Sequence, residues 1–419
     1  FAVHPALAQA VSWVPGRNDT LLTLFVLIAV WSLLKVSETR RWQWFLAHII
    51  SLTAAFLTKE TALIMPAICL IYLALFGRGK VPLKLVLWLA AGWVLTVTGY
   101  LLLRSRAIRP DLSNVAFNTF GENIAGVVSY IGKTVIPVHL SVLPVGRDLT
   151  IVPGLAAIAG LGALWLIAGV GDRKRFWFGS AWFLLLLLPT VVRSQDFAVF
   201  MEQRLYLPLF GLMLMLLESN LWRHDKAPLA IVAVIGLFSL QTIRYNATFA
   251  SSLSFWENAA ATSPTSSFAH RMLAKARSEQ GEDEAAKEEY RQALSLDPDD
   301  IYSYSELGQL YYKAGDLREA EHQLRTAVAI NPNHAGIQYN LGYFYLLTGR
   351  RPLAQQAFLR GLAIDPANAE LHFIMARLYV DQQRYDSAAC HYDIALRRGH
   401  QPNPTLEAIL GSYRTGRDR

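Results

Sequence analysis

Prolines fall at 264, 298, 332 and 366, each 34 residues after the one before. No other feature of the chain narrows its fold so far. A strict period of that length belongs to a solenoid of antiparallel helix pairs, in which each pair buries its apolar side only against its neighbours. Other slots keep step. Small residues recur at Ala274, Gly308, Gly342 and Ala376, again at Ala286, Ala320, Ala354 and Ala388, and again at Ala293, Ala327, Gly361 and Ala395. Tyr311, Tyr345 and Tyr379 fill one ring slot; Tyr290, Phe358 and Tyr392 fill another, with Leu324 as the exception. Turn glycines 281, 315 and 349 separate the paired helices, and Gln383 breaks that series.

The pattern predicts four tetratricopeptide repeats at 267–300, 301–334, 335–368 and 369–402. Trp256, Ala259 and Pro264 match second-helix slots, so 246–266 is expected to be a half-repeat junction. Residues 403–419 should form a capping helix and tail, since the last repeat lacks a neighbour. On the concave face the first helices carry Tyr302, Ser305, Gln309, Tyr312, Tyr339, Asn340, Tyr343, Phe373 and Arg377. Rings and amides suit an extended peptide, packing on its side chains and bonding its backbone. The bland alternative is that several of these tyrosines only pack between repeats.

The rest of the chain is of another kind. Charged residues make up 17% of the whole, well below the usual quarter. Residues 1–266 hold 21 of the 39 Lys+Arg and 12 of the 32 Asp+Glu, so the net charge is +9 there and −2 afterwards. Eight apolar runs, near 20–36, 42–58, 61–77, 85–103, 151–170, 176–192, 205–217 and 227–243, are expected to be membrane-spanning, although 205–217 falls short of the roughly 20 residues a crossing needs. Thus 1–245 reads as a polytopic membrane domain with about eight helices, and the fold class as all-α: a membrane helix bundle followed by a repeat solenoid. The connectors KVSETRR, RGKVPLK, DRKR and WRHDK are rich in Lys and Arg, and the positive-inside rule places them in the cytoplasm. Residues 1–19, 58–60, 104–150, 193–204 and everything after 244 then face the other side. The stretch ENIAGVVSYIGKTVIPVHLSVLP would break that parity if it crossed, and is expected to lie at the interface or re-enter.

A basic surplus confined to the greasy half argues for topology signals and against a nucleic-acid partner. The two cysteines, Cys69 and Cys390, make no disulfide framework. No bound cofactor and no metal-ligating residues are expected, and the involvement of a divalent metal is left open. What remains is a set of paired charges at three outer stretches: His4, Arg17 and Asp19, then Lys59 and Glu60, then Glu202 and Arg204. Outer turns are often merely polar, and long basic side chains snorkel. Charges at bilayer level are costly, however, and recurring acid–base pairs on one face point to a site.

The motifs HPALAQAVSWVPGRNDTL, FLTKETALIMP, FGSAWFLLLLLP and EQRLYLPLFG, in that order and followed by the repeats, resemble the transmembrane and tetratricopeptide-repeat-containing O-mannosyltransferases and their bacterial relatives, C-type glycosyltransferases. The resemblance implies transfer of a sugar, mannose-like, from a polyprenyl phosphate to a hydroxyl, on a protein, at the extracytoplasmic face, in a bacterial inner membrane or the endoplasmic reticulum. It gives a phosphate-binding role to His4, Arg17, Lys59 and Arg204, because a phosphate leaving group needs cations. Asp19, Glu60 and Glu202 become candidates for the base. The family's usual acidic pair lies in a first outer loop, which is expected to precede Phe1 in a longer protein. The expected partners are membrane lipid, the polyprenyl-linked sugar and a peptide in the repeat groove. A non-catalytic membrane-anchored scaffold explains the repeats equally well, but not the charged turns. A transporter should carry ionisable groups inside its spans, where His48 is nearly alone.

Overall fold

A computed structural model describes residues 4–8, 17–107, 120–138, 140–190, 202–223 and 225–417. Among these the chain is helical throughout, with one isolated bridge between Val170 and Ser219. It divides into two compact units, Phe1–Thr265 and Ser266–Arg419.

The first unit contains ten α-helices among the described residues: α1 (Arg17–Thr39), α2 (Trp42–Thr58), α3 (Met65–Phe76), α4 (Leu83–Ala107), α5 (Phe120–Val135), α6 (Val152–Ala168), α7 (Arg173–Leu187), α8 (Pro208–Leu217), α9 (Ala227–Asn246) and α10 (Ser252–Thr262). Among the described residues, each of the eight apolar runs is mainly helix. Three segments, Asn18–Thr39, Leu83–Ala107 and Ala227–Phe249, are long and apolar enough to cross a bilayer. The others are shorter because the sequence interrupts them. A 3-10 turn, Glu60–Ile64, precedes α3, whose first turn holds Pro66. Pro208 opens α8, whose ten residues span about 15 Å, half a hydrocarbon core. Much of the apolar surface faces outward: Leu95, Leu166, Ile167 and Leu229 are all more than 70% exposed. Apolar area of that extent would be a liability in water and is ordinary against lipid.

Polar stitches and close contacts hold the unit. His48 is fully buried; its Nδ1 donates to the Ala29 carbonyl at 2.8 Å and its Nε2 accepts from the Trp93 indole at 2.8 Å, joining α1, α2 and α4. The ring that looked like an ionisable group inside a span is therefore a neutral structural tie. Helices α7 and α8 meet at Gly179 and Gly211. A Cβ on Gly179 would lie 2.7 Å from the Gly211 carbonyl oxygen, and one on Gly211 2.6 Å from that of Gly179. Small residues let backbones touch where lipid offers no hydrophobic drive for association.

The awkward stretch resolves into α5 and an ordered loop. α5 packs on α6, and the loop docks on α10. Val142 N donates to Asn258 Oδ1 (3.1 Å), Thr262 Oγ1 to Ser141 Oγ (2.7 Å), Ser263 Oγ to the Leu143 carbonyl (2.7 Å), and Thr265 Oγ1 to Asp148 (2.8 Å). These bonds satisfy polar groups of the loop against α10 and the residues that follow it. The expected half repeat thus contributes one helix, α10, and it belongs to the first unit.

The second unit follows the 34-residue rule. Its pairs are α11 (Ser267–Glu279) with α12 (Asp283–Leu296), α13 (Ile301–Ala314) with α14 (Leu317–Ile330), α15 (Ala335–Leu347) with α16 (Arg351–Ile364), and α17 (Ala369–Asp381) with α18 (Tyr385–Arg397); α19 (Pro404–Arg417) caps the array. The ring-slot residues Tyr290, Leu324, Phe358 and Tyr392 are all buried. Glycine is required opposite Phe358, where a Cβ on Gly342 would sit 2.6 Å from the ring. A further periodic slot escaped the sequence reading. Ser266, Asp300, His334 and Asn368, spaced by 34, each cap a first helix, accepting from Ala269 N, Tyr302 N, Ile337 N and Leu371 N. Side chains that accept from the first free N–H groups supply what the helix itself cannot. Gln383 lacks the glycine of its counterparts but keeps their backbone, at φ 59°.

Candidate functional site

Four of the expected residues meet in one place. A cavity of about 410 Å³ in the first unit is lined by Asp19, Lys59, Glu60 and Arg204, with Arg104 added and Leu22, Thr61, Leu186, Pro189, Leu207 and Pro208 as walls. Local structure puts them there. Asp19 lies in the first turn of α1. Lys59 follows the last residue of α2, and its extended backbone (φ −160°) turns the chain into the 3-10 turn that carries Glu60. Arg204 lies on the 3-10 turn Glu202–Leu205 ahead of α8. The fully buried Trp182 fixes that approach, its Nε1 donating to the Leu207 carbonyl at 2.9 Å.

Lys59 Nζ lies 2.7 Å from each oxygen of Asp19. The Asp19 side chain is 7% exposed and that of Lys59 19%. A pair this short and dry is strongly attractive, yet it mainly offsets the cost of removing both charges from water. Glu60 is far wetter, and its Oε2 is 4.0 Å from Arg104 Nη1. The lining carries three positive and two negative side chains, one net positive charge.

His4 is placed differently. It is buried, its Nε2 lies 2.8 Å from the Thr134 carbonyl, and its ring meets Phe238 edge-on at 4.9 Å. Burial pulls its imidazole down to about 4, so it is neutral at physiological pH and supplies no charge for a phosphate. Nor does it line the cavity. The turn that follows it, Pro5–Leu7, packs on Glu202–Leu205 and so abuts the site's wall. The side chains of Arg17 and Glu202 lie outside the described residues, as does His139. Arg104 was missed because its stretch reads as a long irregular connector; its place in the last turn of a 25-residue helix was the available signal. Among the described residues no group of three or more His, Cys, Asp or Glu is arranged to hold a metal.

In the second unit Gln309, Tyr312, Tyr339, Asn340 and Tyr343 line a depression of about 580 Å³, together with Glu306 and Lys313. Tyr339 and Tyr343 stack at 5.9 Å and 7°. The other expected groove residues do not line it. Ser305 is buried and accepts from Asn340 Nδ2 at 2.8 Å. Phe373 is buried and stacks on His400 at 4.0 Å, with Arg377 at 6.0 Å from its ring. Tyr302 is half exposed, its hydroxyl at 3.3 Å from His334 Nε2.

Fold and cavity define an all-α chain in which an apolar bundle with an ionic pocket precedes a repeat array in the sequence. Comparison with known proteins carries this further. Residues 2–101 match the family model described as dolichyl-phosphate-mannose-protein mannosyltransferase, and residues 274–315 and 305–369 match models of the tetratricopeptide repeat. A protein O-mannosyl-transferase of Caenorhabditis elegans is 25% identical over 324 residues, which is 71% of this chain. The chain spans 45% of that relative's length. Among solved structures, Pseudomonas aeruginosa PilF is 24% identical, with 43% of this chain and 82% of that one covered and a TM-score of 0.37. MamA of Desulfovibrio magneticus RS-1 is 18% identical, with 42% and 96% covered and a TM-score of 0.31. The resemblance read from the motifs holds: a mannosyltransferase-type segment is followed by tetratricopeptide repeats. That segment and the three long apolar helices point to a membrane protein.

Proposed function

We propose that the chain forms part of a membrane mannosyltransferase that takes its sugar from a polyprenyl phosphate and delivers it to a hydroxyl at the extracytoplasmic face. The observation that carries this is the 410 Å³ cavity, in which paired charges from three separated turns converge beside the mannosyltransferase-type segment. Its net positive charge suits a phosphodiester, which bears one negative charge. Arg204 is the phosphate ligand in this reading, since a guanidinium offers two parallel N–H groups to phosphate oxygens and stabilises charge developing on the leaving group. Lys59, already spanning both oxygens of Asp19, holds α1 and α2 in register around the pocket. Glu60 is the exposed carboxylate available to an acceptor hydroxyl, and Glu202 remains a second candidate. The repeats present their tyrosine- and amide-lined depression to a peptide, as acceptor or partner, on the same side of the membrane. The alternative of a non-catalytic scaffold accounts for that depression but gives the cavity no role.

The test is donor binding and transfer by the native-length protein in membranes. Arg204→Ala should lower transfer by about 10²–10³, the usual effect of removing one preorganised charge-stabilising donor. Arg204→Lys should recover only part, because an ammonium cannot make the two-pronged contact. Transfer at the parental rate by Arg204→Ala would sink the assignment.

A further inference from the structure

The charges lining the cavity are not equally available. Asp19 and Lys59 neutralise each other at 2.7 Å. Glu60 shares the lining with two guanidiniums, Arg104, which it contacts, and Arg204, whose charge also acts on Asp19. Arg104 stands in the last turn of α4, and its Nη1 donates to Tyr100 Oη, one turn earlier, at 2.7 Å. The Tyr100 ring lies 6.1 Å from that of Phe56, a fully buried core residue. The guanidinium is thus aimed from a ring seated on the packed interior, which limits where a flexible side chain can go. The contact of Arg104 with Glu60 is of another quality. It is 4.0 Å long, with the side chains 43% and 48% exposed. A pair so long and wet is easily exchanged for a better anion.

We infer that Arg104 is a second ligand of the donor's phosphodiester, and that the incoming phosphate displaces Glu60 from it. This rests on the reading of the cavity as a donor site. Lys59 is the less suitable partner because Asp19 already occupies it from two sides. A phosphate held by Arg104 and Arg204 meets two planar forks, one from α4 and one from the turn before α8. Charge-assisted contacts of this kind are about twice as strong as neutral hydrogen bonds. The exchange leaves Glu60 as an uncompensated carboxylate at the edge of the cavity, able to accept a hydrogen bond from an acceptor hydroxyl only once the donor is in place. Glu60 is therefore a competitor of the phosphate in the empty site and a partner of the acceptor in the filled one.

The experiment measures binding of a short-chain polyprenyl phosphate, and of inorganic phosphate as the headgroup alone, to the purified full chain in detergent. Arg104→Ala should weaken polyprenyl phosphate binding at least about tenfold, the loss typical of one hydrogen bond to a charged group. Arg104→Lys should restore part of it. Tyr100→Phe removes the anchor but keeps the cation, and should weaken binding less than Arg104→Ala. Glu60→Gln should tighten binding by about two- to fivefold, because an exposed pair of this kind competes no more strongly than that. In the Arg104→Ala background the Glu60→Gln gain should vanish. Parental affinity in Arg104→Ala, or a Glu60→Gln gain that persists without Arg104, overturns the inference while leaving the donor site standing. Failure of the unmodified chain to bind polyprenyl phosphate overturns both. Inorganic phosphate bound as tightly as the lipid, with the same dependence on Arg104, makes the pocket a free-phosphate site and overturns the donor assignment as well.

Discussion

Asp19→Asn takes one charge out of the pair that joins the start of α1 to the end of α2. Two unit charges 2.7 Å apart attract by about 6 kcal/mol at an effective dielectric constant of about 20. Desolvation offsets much of this, since Asp19 keeps 7% of its side-chain exposure and Lys59 19%. Removing one partner alone leaves the other charge buried and unmatched, which costs about 3–5 kcal/mol. Lys59 retains some water, so the lower end applies: about 3 kcal/mol for Asp19→Asn, and a similar loss for Lys59→Met. The double variant buries no charge and should lose only about 1 kcal/mol in all, giving a coupling of about 5 kcal/mol. The measurement is hydrogen exchange of the α1 and α2 amides of the full chain in micelles, so that the repeats do not enter the signal. Strictly additive single losses would refute the reasoning. A second readout separates structure from ligand binding. If Lys59 is a scaffold for the pocket, the double variant binds polyprenyl phosphate within about tenfold of the parent; a loss of 10²–10³ would return Lys59 to the phosphate.

Two further outcomes are expected. Gln383→Gly relieves a left-handed backbone that costs a side-chain-bearing residue about 1–2 kcal/mol, less the extra chain entropy of glycine, so the last repeat should gain roughly 0.5–1 kcal/mol in the exchange of α17 and α18 amides; an unchanged or faster exchange would contradict this. Cys390 is exposed and Cys69 buried, so a membrane-impermeant maleimide applied to intact cells should label the chain at Cys390 alone, and labelling only after the membrane is opened would put the repeats on the cytoplasmic side.

The two halves differed in how much their sequences disclosed, for a physical reason. In a repeat array each contact is local and recurs, so a period suffices to mark paired helices, and the want of a neighbour for the last one suggests a cap. Even there the spacing could not say which first-helix side chains face outward. Ser305 and Phe373 share a slot with Tyr339, yet the first is small enough to sink beneath Asn340 and the second lies under His400. In the apolar half, among the described residues, every run is mainly helix, and hydropathy told where. The partners of those helices depend on contacts between residues far apart in sequence, such as Gly179 with Gly211 or His48 with Ala29 and Trp93. The candidate site was legible as a coincidence of charges at turns. That Lys59 chooses Asp19, that His4 turns to Thr134, and that Arg104 joins the lining could not be read without the fold.

The contact of Gly179 with Gly211 sets a hard stop on the geometry of the pocket. Where side chains interdigitate, two helices can slide by repacking; where backbone meets backbone, there is no compliant layer to compress. α8 therefore has its distance from α7 fixed at Gly211, three residues beyond its first residue, Pro208. The Arg204 turn hangs from that end, and the Trp182 bond to Leu207 locks the join. The arm that carries the guanidinium is short, and its pivot is rigid. A single methyl group at Gly179, remote from every charged side chain of the cavity in sequence, would push α8 outward and carry Arg204 with it.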